Sequence, residues 1–189
     1  MIVEPIPHGL DLLKSELVRS PGLHASDIYN DLYAALEPKR YKYDGPPNPL
    51  LLALGTAWER HMEYLLTLNG VKYERPPEQM SPEGIAYSPD LLLYNGVTRL
   101  GELKVTSMSA DDMPTAPCST LPHKLSKYNC QMKLYAYWLG VTEGWLAILF
   151  LYKAYNPDMR VFNLTWTQQE LAENHQMLMN HARHKGLLK

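Results

Sequence analysis

The chain carries Asn95-Gly96 between two apolar runs, residues 91–94 and 97–103. An Asn-Gly pair in that setting is the strongest short-range hairpin signal a sequence offers. Side chains alternate faces along a strand, so the length of the turn decides which charges meet. A two-residue loop pairs Tyr94 with Val97 and sends Asp90 and Glu102 to opposite faces. A three-residue loop over residues 94–96 puts Gly96 in the left-handed position, pairs Leu93 with Val97, and makes Asp90 and Glu102 same-face diagonal neighbours, about 7–8 Å apart.

In the second register two carboxylates can meet on one cation. Asp90 and Glu102 offer hard oxygen donors suited to a magnesium or manganese ion, which is held by one or two carboxylates together with waters and substrate phosphate. Lys104 shares a face with Glu102, where an ammonium can orient or deprotonate water or neutralise charge on a phosphate. The competing reading is a solvated edge hairpin in which Lys104 merely pairs with a neighbouring acid. Pro89 directly before Asp90, and the apolar residues around all three charges, weigh toward a site.

Length and composition bound the remainder. A chain of 189 residues with 46% apolar content is long enough for one sizeable core, and the length prior favours a single domain. We divide it into an arm at 1–25, a core at 26–155 and a C-terminal strand and helix at 156–189. With 18 basic against 20 acidic residues, it does not look like a protein that coats nucleic acid nonspecifically, although a local basic groove remains compatible with a phosphate backbone. Cys118 and Cys130 form neither a disulfide framework nor a C-x-x-C metal pair. The expectation is a reduced, cytoplasmic setting in a bacterial or phage-infected cell, with no signal-peptide core and no apolar run long enough to span a membrane.

Along the chain, Ser26 is the expected cap of a first helix that carries Ile28, Leu32 and Leu36 up to Pro38. Residues 39–43 interleave Arg40 and Lys42 with tyrosines, a pattern that suits either a nucleic-acid grip or a solvated loop. A second helix, residues 49–69, sets Leu51, Leu54, Trp58, Met62 and Leu65 on one stripe. At about 100° per residue, Glu59 sits at its edge and Glu63 farther toward solvent.

A strand is expected at 71–75 and a long connection with three prolines at 106–123. Beyond it, a helix over 123–139 places Gln131 and Tyr135 on one side, with Lys124 and Lys127 on its flank. A second hairpin over 145–155 and 159–166 extends the sheet. Thr167 caps a last helix with Glu170 in capping-box position, and His175, His181 and His184 on that helix read as a solvated basic tail.

These residues together resemble a known family. Ser88-Pro89-Asp90 followed by Gly101-Glu102-Leu103-Lys104 is similar to the core motif of the PD-(D/E)XK nuclease superfamily. Gly55 followed four residues later by Glu59 resembles the metal-site helix of its lambda-type exonucleases and RecB-like nucleases, with Glu63 and His61 as alternatives. Gln131 and Tyr135 resemble the Q-x-x-x-Y motif of the RecB-like branch. The resemblance covers about residues 26–155. It implies an α/β, restriction-endonuclease-like core, a central mixed sheet flanked by helices.

It further implies a metal-dependent deoxyribonuclease, most simply an exonuclease in recombination, repair or phage DNA processing. Asp90, Glu102, the Leu103 carbonyl and Glu59 would hold magnesium or manganese. Asp90, Glu102, Lys104, Gln131 and Tyr135 would form the catalytic set, while Arg40, Lys42, Lys124 and Lys127 are candidate DNA contacts. Many relatives of that branch bind an iron-sulfur cluster through four cysteines; two cysteines here imply no such cluster. DNA is the implied partner, with no membrane, and a single-strand annealing protein or a second copy of the chain as possible companions. An endonuclease of the same fold, of junction-resolving or restriction type, and a DNA-binding module that does not cut both stay open.

Overall fold

The computed structural model describes residues 20–41, 49–111, 113–152 and 156–188. Lys42, residues 153–155 at the end of the expected 145–155 strand, and most of the N-terminal arm lie outside them.

Among the described residues the helices are α1 (Ala25–Leu36), α2 (Pro38–Tyr41), α3 (Pro49–Leu68), α4 (Ser126–Leu139) and α5 (Gln168–His184). The strands are β1 (Lys72–Glu74), β2 (Gln79–Met80), β3 (Ala86–Tyr87), β4 (Leu91–Asn95), β5 (Val97–Thr106), β6 (Glu143–Phe150) and β7 (Asp158–Thr165). One mixed sheet has the order β1-β4-β5-β6-β7, and β2 and β3 pair separately. Among the described strands of the five-stranded sheet, only β5 and β6 run parallel. A parallel pair needs a crossover, and the connection through α4 supplies it.

Alternation along β5 and β6 sorts the core into two layers. Leu100, Leu146, Ile148 and Phe150 face α1, α4 and α5, packing on Ile28, Leu32, Met132, Leu134, Leu171 and Leu178. Leu103 and Ala147 face the opposite way, onto Trp58, Met62 and Leu66 of α3. Each of these large side chains contributes about 1.5–3 kcal/mol on burial. Glu102 and Lys104 alternate with Leu103, so they open on the α1 and α4 side.

The structure departs from the sequence expectations in several places. In the β4-β5 hairpin neither anticipated loop is used. Asn95 pairs with Val97 and Leu93 with Arg99, leaving Gly96 alone at the bend with φ of 75°, a conformation glycine adopts without a Cβ penalty. The cap of α1 is His24 rather than Ser26, its N–H donating to Asp27 Oδ2 at 2.9 Å. On α3 the expected stripe is buried only from Trp58 onward. Leu51 and Leu54 are 53% and 38% exposed, and Leu66, not Leu65, is the buried member of the last turn.

The β6-β7 hairpin begins at Glu143 and its first strand ends at Phe150, a frame offset from the expected one. On α5 the Thr167 and Glu170 capping box is present as anticipated, but two of its histidines are not solvated. His175 Nε2 lies 2.9 Å from Glu83 Oε1 and His181 Nε2 lies 2.7 Å from Asp31 Oδ2. These contacts tie α5 to the β2-β3 turn and to α1, a long-range pairing that a local pattern does not announce.

Two glycines let the layers close. A Cβ at Gly101 would stand 2.9 Å from Leu91 Cβ across the ladder. A Cβ at Gly144 would collide with the Trp166 ring and lie 2.9 Å from Met132 Cε, where a rigid indole cannot yield. Gly144→Ala should therefore cost about 1–3 kcal/mol through overpacking, read as a lower urea midpoint at unchanged m-value. A wild-type midpoint would contradict this packing.

Candidate active site

The hairpin register sets the site. With Leu91 opposite Gly101, Asp90 falls directly across from Glu102 instead of on the expected diagonal. Both project from the same face of the sheet. Glu102 is fully buried. Its Oε1 contacts the Lys104 ammonium and accepts a hydrogen bond from Gln131 Nε2 at 2.5 Å. Asp90 Oδ2 accepts from the Leu103 N–H at 2.7 Å and lies 3.7 Å from Lys104 Nζ. One lysine thus bridges two acids, and Gln131, on α4, reaches across to fix the buried one.

The electrostatics follow from burial. Desolvation, then the Asp90 charge, push the Glu102 carboxyl above its ordinary range, while Lys104 and Gln131 pull it back. Burial works against the Lys104 ammonium, but the Glu102 and Asp90 charges outweigh it and raise its pKa. Lys104 is accordingly a cation here, and its charge makes it possible for two carboxylates to stand side by side.

Glu102 Oε2 is buried and has no hydrogen-bond partner among the described residues. Leaving a carboxylate oxygen desolvated and unpaired is costly. A hard divalent cation would satisfy it, and Asp90 with Glu102 has the oxygen chemistry that magnesium or manganese requires. On this ground the residues fit such an ion.

Glu59 is placed differently from Asp90 and Glu102. It rises from α3, which covers the Leu103 face of the sheet, whereas Glu102 opens on the other. Arg75 holds it, donating to Glu59 Oε2 from both terminal nitrogens at 3.0 Å and from Nε to Glu63 Oε1 at 2.6 Å. By solvent exposure alone the two glutamates are alike, at 26% and 25%. His61 is exposed. Burial, then the Asp90 charge, raise the Glu59 carboxyl, so the clamped acid feels the cluster without joining it. Among the described residues, no three His, Cys, Asp or Glu side chains gather as a metal-holding group.

Behind the cluster, Tyr135 is buried and shares a hydrogen bond with Tyr29 of α1. Burial, then the Glu102 charge, lift the Tyr29 phenol far above its usual value. Sequence reasoning missed Tyr29, which sits among ordinary apolar positions of α1 and belongs to no motif; only the fold brings it to Glu102.

The expected basic contacts scatter. Lys124 Nζ donates to the Ser109 carbonyl at 2.8 Å. Arg40 lies 3.7 Å from Glu37. Lys127 stands over the rings of Tyr41 and Tyr29, 5.2 and 6.0 Å from their centroids. A cavity of about 190 Å³ opens beside Glu59, Glu63 and Arg75. A larger one, about 640 Å³, lies between residues 114–121, α4 and β7, and the acid cluster does not line it.

No family model matches this sequence, and no curated protein does. Solved structures do. An alkaline exonuclease (LHK-Exo) from Laribacter hongkongensis superposes with a TM-score of 0.52 at 14% identity, over 86% of this chain and 87% of the other. LHK-Exo in complex with dAMP superposes at 0.54 with 15% identity, over 86% and 87%. The chain therefore shares the fold of these structures, α/β with a five-stranded mixed sheet flanked by helices.

Gln131→Leu keeps the volume of the side chain and deletes the donor to a buried carboxylate. It should lower stability by about 1–3 kcal/mol, measured by urea unfolding. A variant as stable as the wild type would show that Glu102 does not depend on that bond.

Proposed function

We propose that this chain is a divalent-metal-dependent deoxyribonuclease that hydrolyses DNA phosphodiester bonds, acting as an exonuclease. The observation that carries the proposal is the pairing of half-buried Asp90 with fully buried Glu102, bridged by Lys104 and left with an unsatisfied Glu102 carboxylate oxygen, on the fold of an alkaline exonuclease. A protein without chemistry to perform gains nothing from holding like charges together in its interior.

Asp90, Glu102 and the Leu103 carbonyl would hold magnesium or manganese, and Glu59 is the candidate further ligand once Arg75 releases it. When bound, the cation supplies Lewis-acid stabilisation of charge on the phosphate and lowers the pKa of water. The chain's own residues do the rest. Lys104 neutralises charge that builds on the phosphoryl oxygens and orients the attacking water. Gln131 fixes the direction of the Glu102 carboxylate, and Tyr29 through Tyr135 packs α1 and α4 against it. Asp90, anchored by the Leu103 N–H, keeps its position without help from substrate.

End-labelled linear DNA and covalently closed circles, each incubated with magnesium or with EDTA, test the proposal against Lys104→Ala and Glu102→Gln. Wild type should degrade the linear DNA only, EDTA should abolish the reaction, and each variant should fall by at least about 10²-fold, the scale of losing one charge-stabilising group. Nicking of circles would make the enzyme an endonuclease. Undiminished cleavage in EDTA or by Lys104→Ala would falsify the mechanism. Binding without cleavage under any condition would leave a non-cutting DNA-binding module.

A further inference from the structure

Lysines and arginines that lose water on folding are normally paired, because an unpaired buried charge is costly. This chain follows the rule closely. Among the described residues that are neither buried nor fully exposed, Arg99 meets Glu143, Lys104 meets Asp90 and Glu102, Lys133 meets Glu170, Arg160 meets Asp158, and Lys124 donates to a backbone carbonyl. Lys127 is half-buried too, yet no carboxylate or carbonyl meets it among the described residues. Its surroundings are the faces of Tyr29 and Tyr41. Burial, then the neighbouring Lys104 charge, depress its pKa, so a like charge stands near it where a counter-ion would be expected.

Its place on α4 gives this meaning. Lys127 precedes Gln131 by four residues and so shares its face of the helix, the face that reaches Glu102. The ammonium therefore sits one turn from the acid cluster. Two tyrosine rings back it, and among the described residues the geometry commits it to no carboxylate.

We propose that Lys127, cradled by Tyr29 and Tyr41, binds a backbone phosphate of the DNA strand whose scissile bond lies at Asp90, Glu102 and Lys104. This assignment rests on the nuclease proposal above. Cation–π contact with the two rings holds the side chain in place before substrate arrives, and the missing counter-charge is the phosphate itself. A phosphate taken up here releases condensed counterions from the DNA, so the contact must appear in the salt dependence of binding.

The test measures binding of full-length protein to fluorescently labelled duplex DNA by anisotropy, in EDTA so that no turnover occurs, over a series of salt concentrations. It compares wild type, Lys127→Met, Lys127→Arg and Lys72→Met, the last an exposed lysine at the far end of the hairpin from Asp90. Lys127→Met should flatten the plot of log affinity against log salt by about 1. Lys127→Arg should restore the wild-type slope, and Lys72→Met should leave it unchanged.

A wild-type slope for Lys127→Met overturns the assignment, as does an equal loss from Lys72→Met, which would mean that net charge alone is being read. Should Lys127→Met fail to fold by circular dichroism, Lys127→Gln is measured in its place, under the same two criteria. A wild-type protein that digests DNA while Lys127 proves silent defeats this inference alone. One that neither binds nor digests DNA defeats the nuclease proposal as well.

Discussion

The buried carboxylate of Glu102 organises the centre of this molecule. Placing an acid with no solvent exposure inside a sheet is unfavourable unless its charge is answered, and the chain answers it from two elements. Lys104 comes from the same strand and Gln131 from α4, while Asp90, just before the neighbouring strand, shares the same lysine and adds a like charge that opposes ionisation of Glu102. Each partner depends on a different part of the fold: strand alternation for Lys104, hairpin register for Asp90, and the parallel crossover for Gln131. A slip of one residue in the hairpin would turn Asp90 to the opposite face and leave Lys104 with one acid.

The packing around the cluster keeps that register. Gly101 lets Leu91 close against the ladder, and Gly144 lets the Trp166 ring lie against β6. On the other side of the sheet, α3 buries Trp58, Met62 and Leu66 against Leu103. It presents Glu59 and Glu63 to Arg75, so that a second group of acids stands near the first with its own cation. The result is a fully buried acid held by Lys104 and, nearby, a partly exposed pair of acids held by Arg75.

Much of this was legible in the sequence where the signal is local. The Asn95-Gly96 turn, the Thr167 and Glu170 cap, and the shared helix side of Gln131 and Tyr135 are short-range patterns, and each corresponds to an observed element. Register was harder. Whether the bend spans one, two or three residues depends on packing of Leu91 and Leu93 against α3, and the turn dipeptide does not encode it. Pairings across the chain were invisible for the same reason. Arg75 with Glu59, His175 with Glu83, His181 with Asp31, and Tyr29 with Tyr135 join residues remote in sequence, and no periodicity marks them. The α3 stripe shows the reverse limit: helical spacing predicted which side chains align, but not that Leu51 and Leu54 would stay exposed.

Central to the account is the claim that Asp90 and Glu102 form a divalent-cation site completed by the Leu103 carbonyl. Anomalous diffraction from crystals grown with manganese tests it most directly. The account predicts a single strong peak within coordination distance of Glu102 Oε2, an Asp90 oxygen and the Leu103 carbonyl. A peak elsewhere, or none at manganese concentrations that support DNA cleavage, would contradict it.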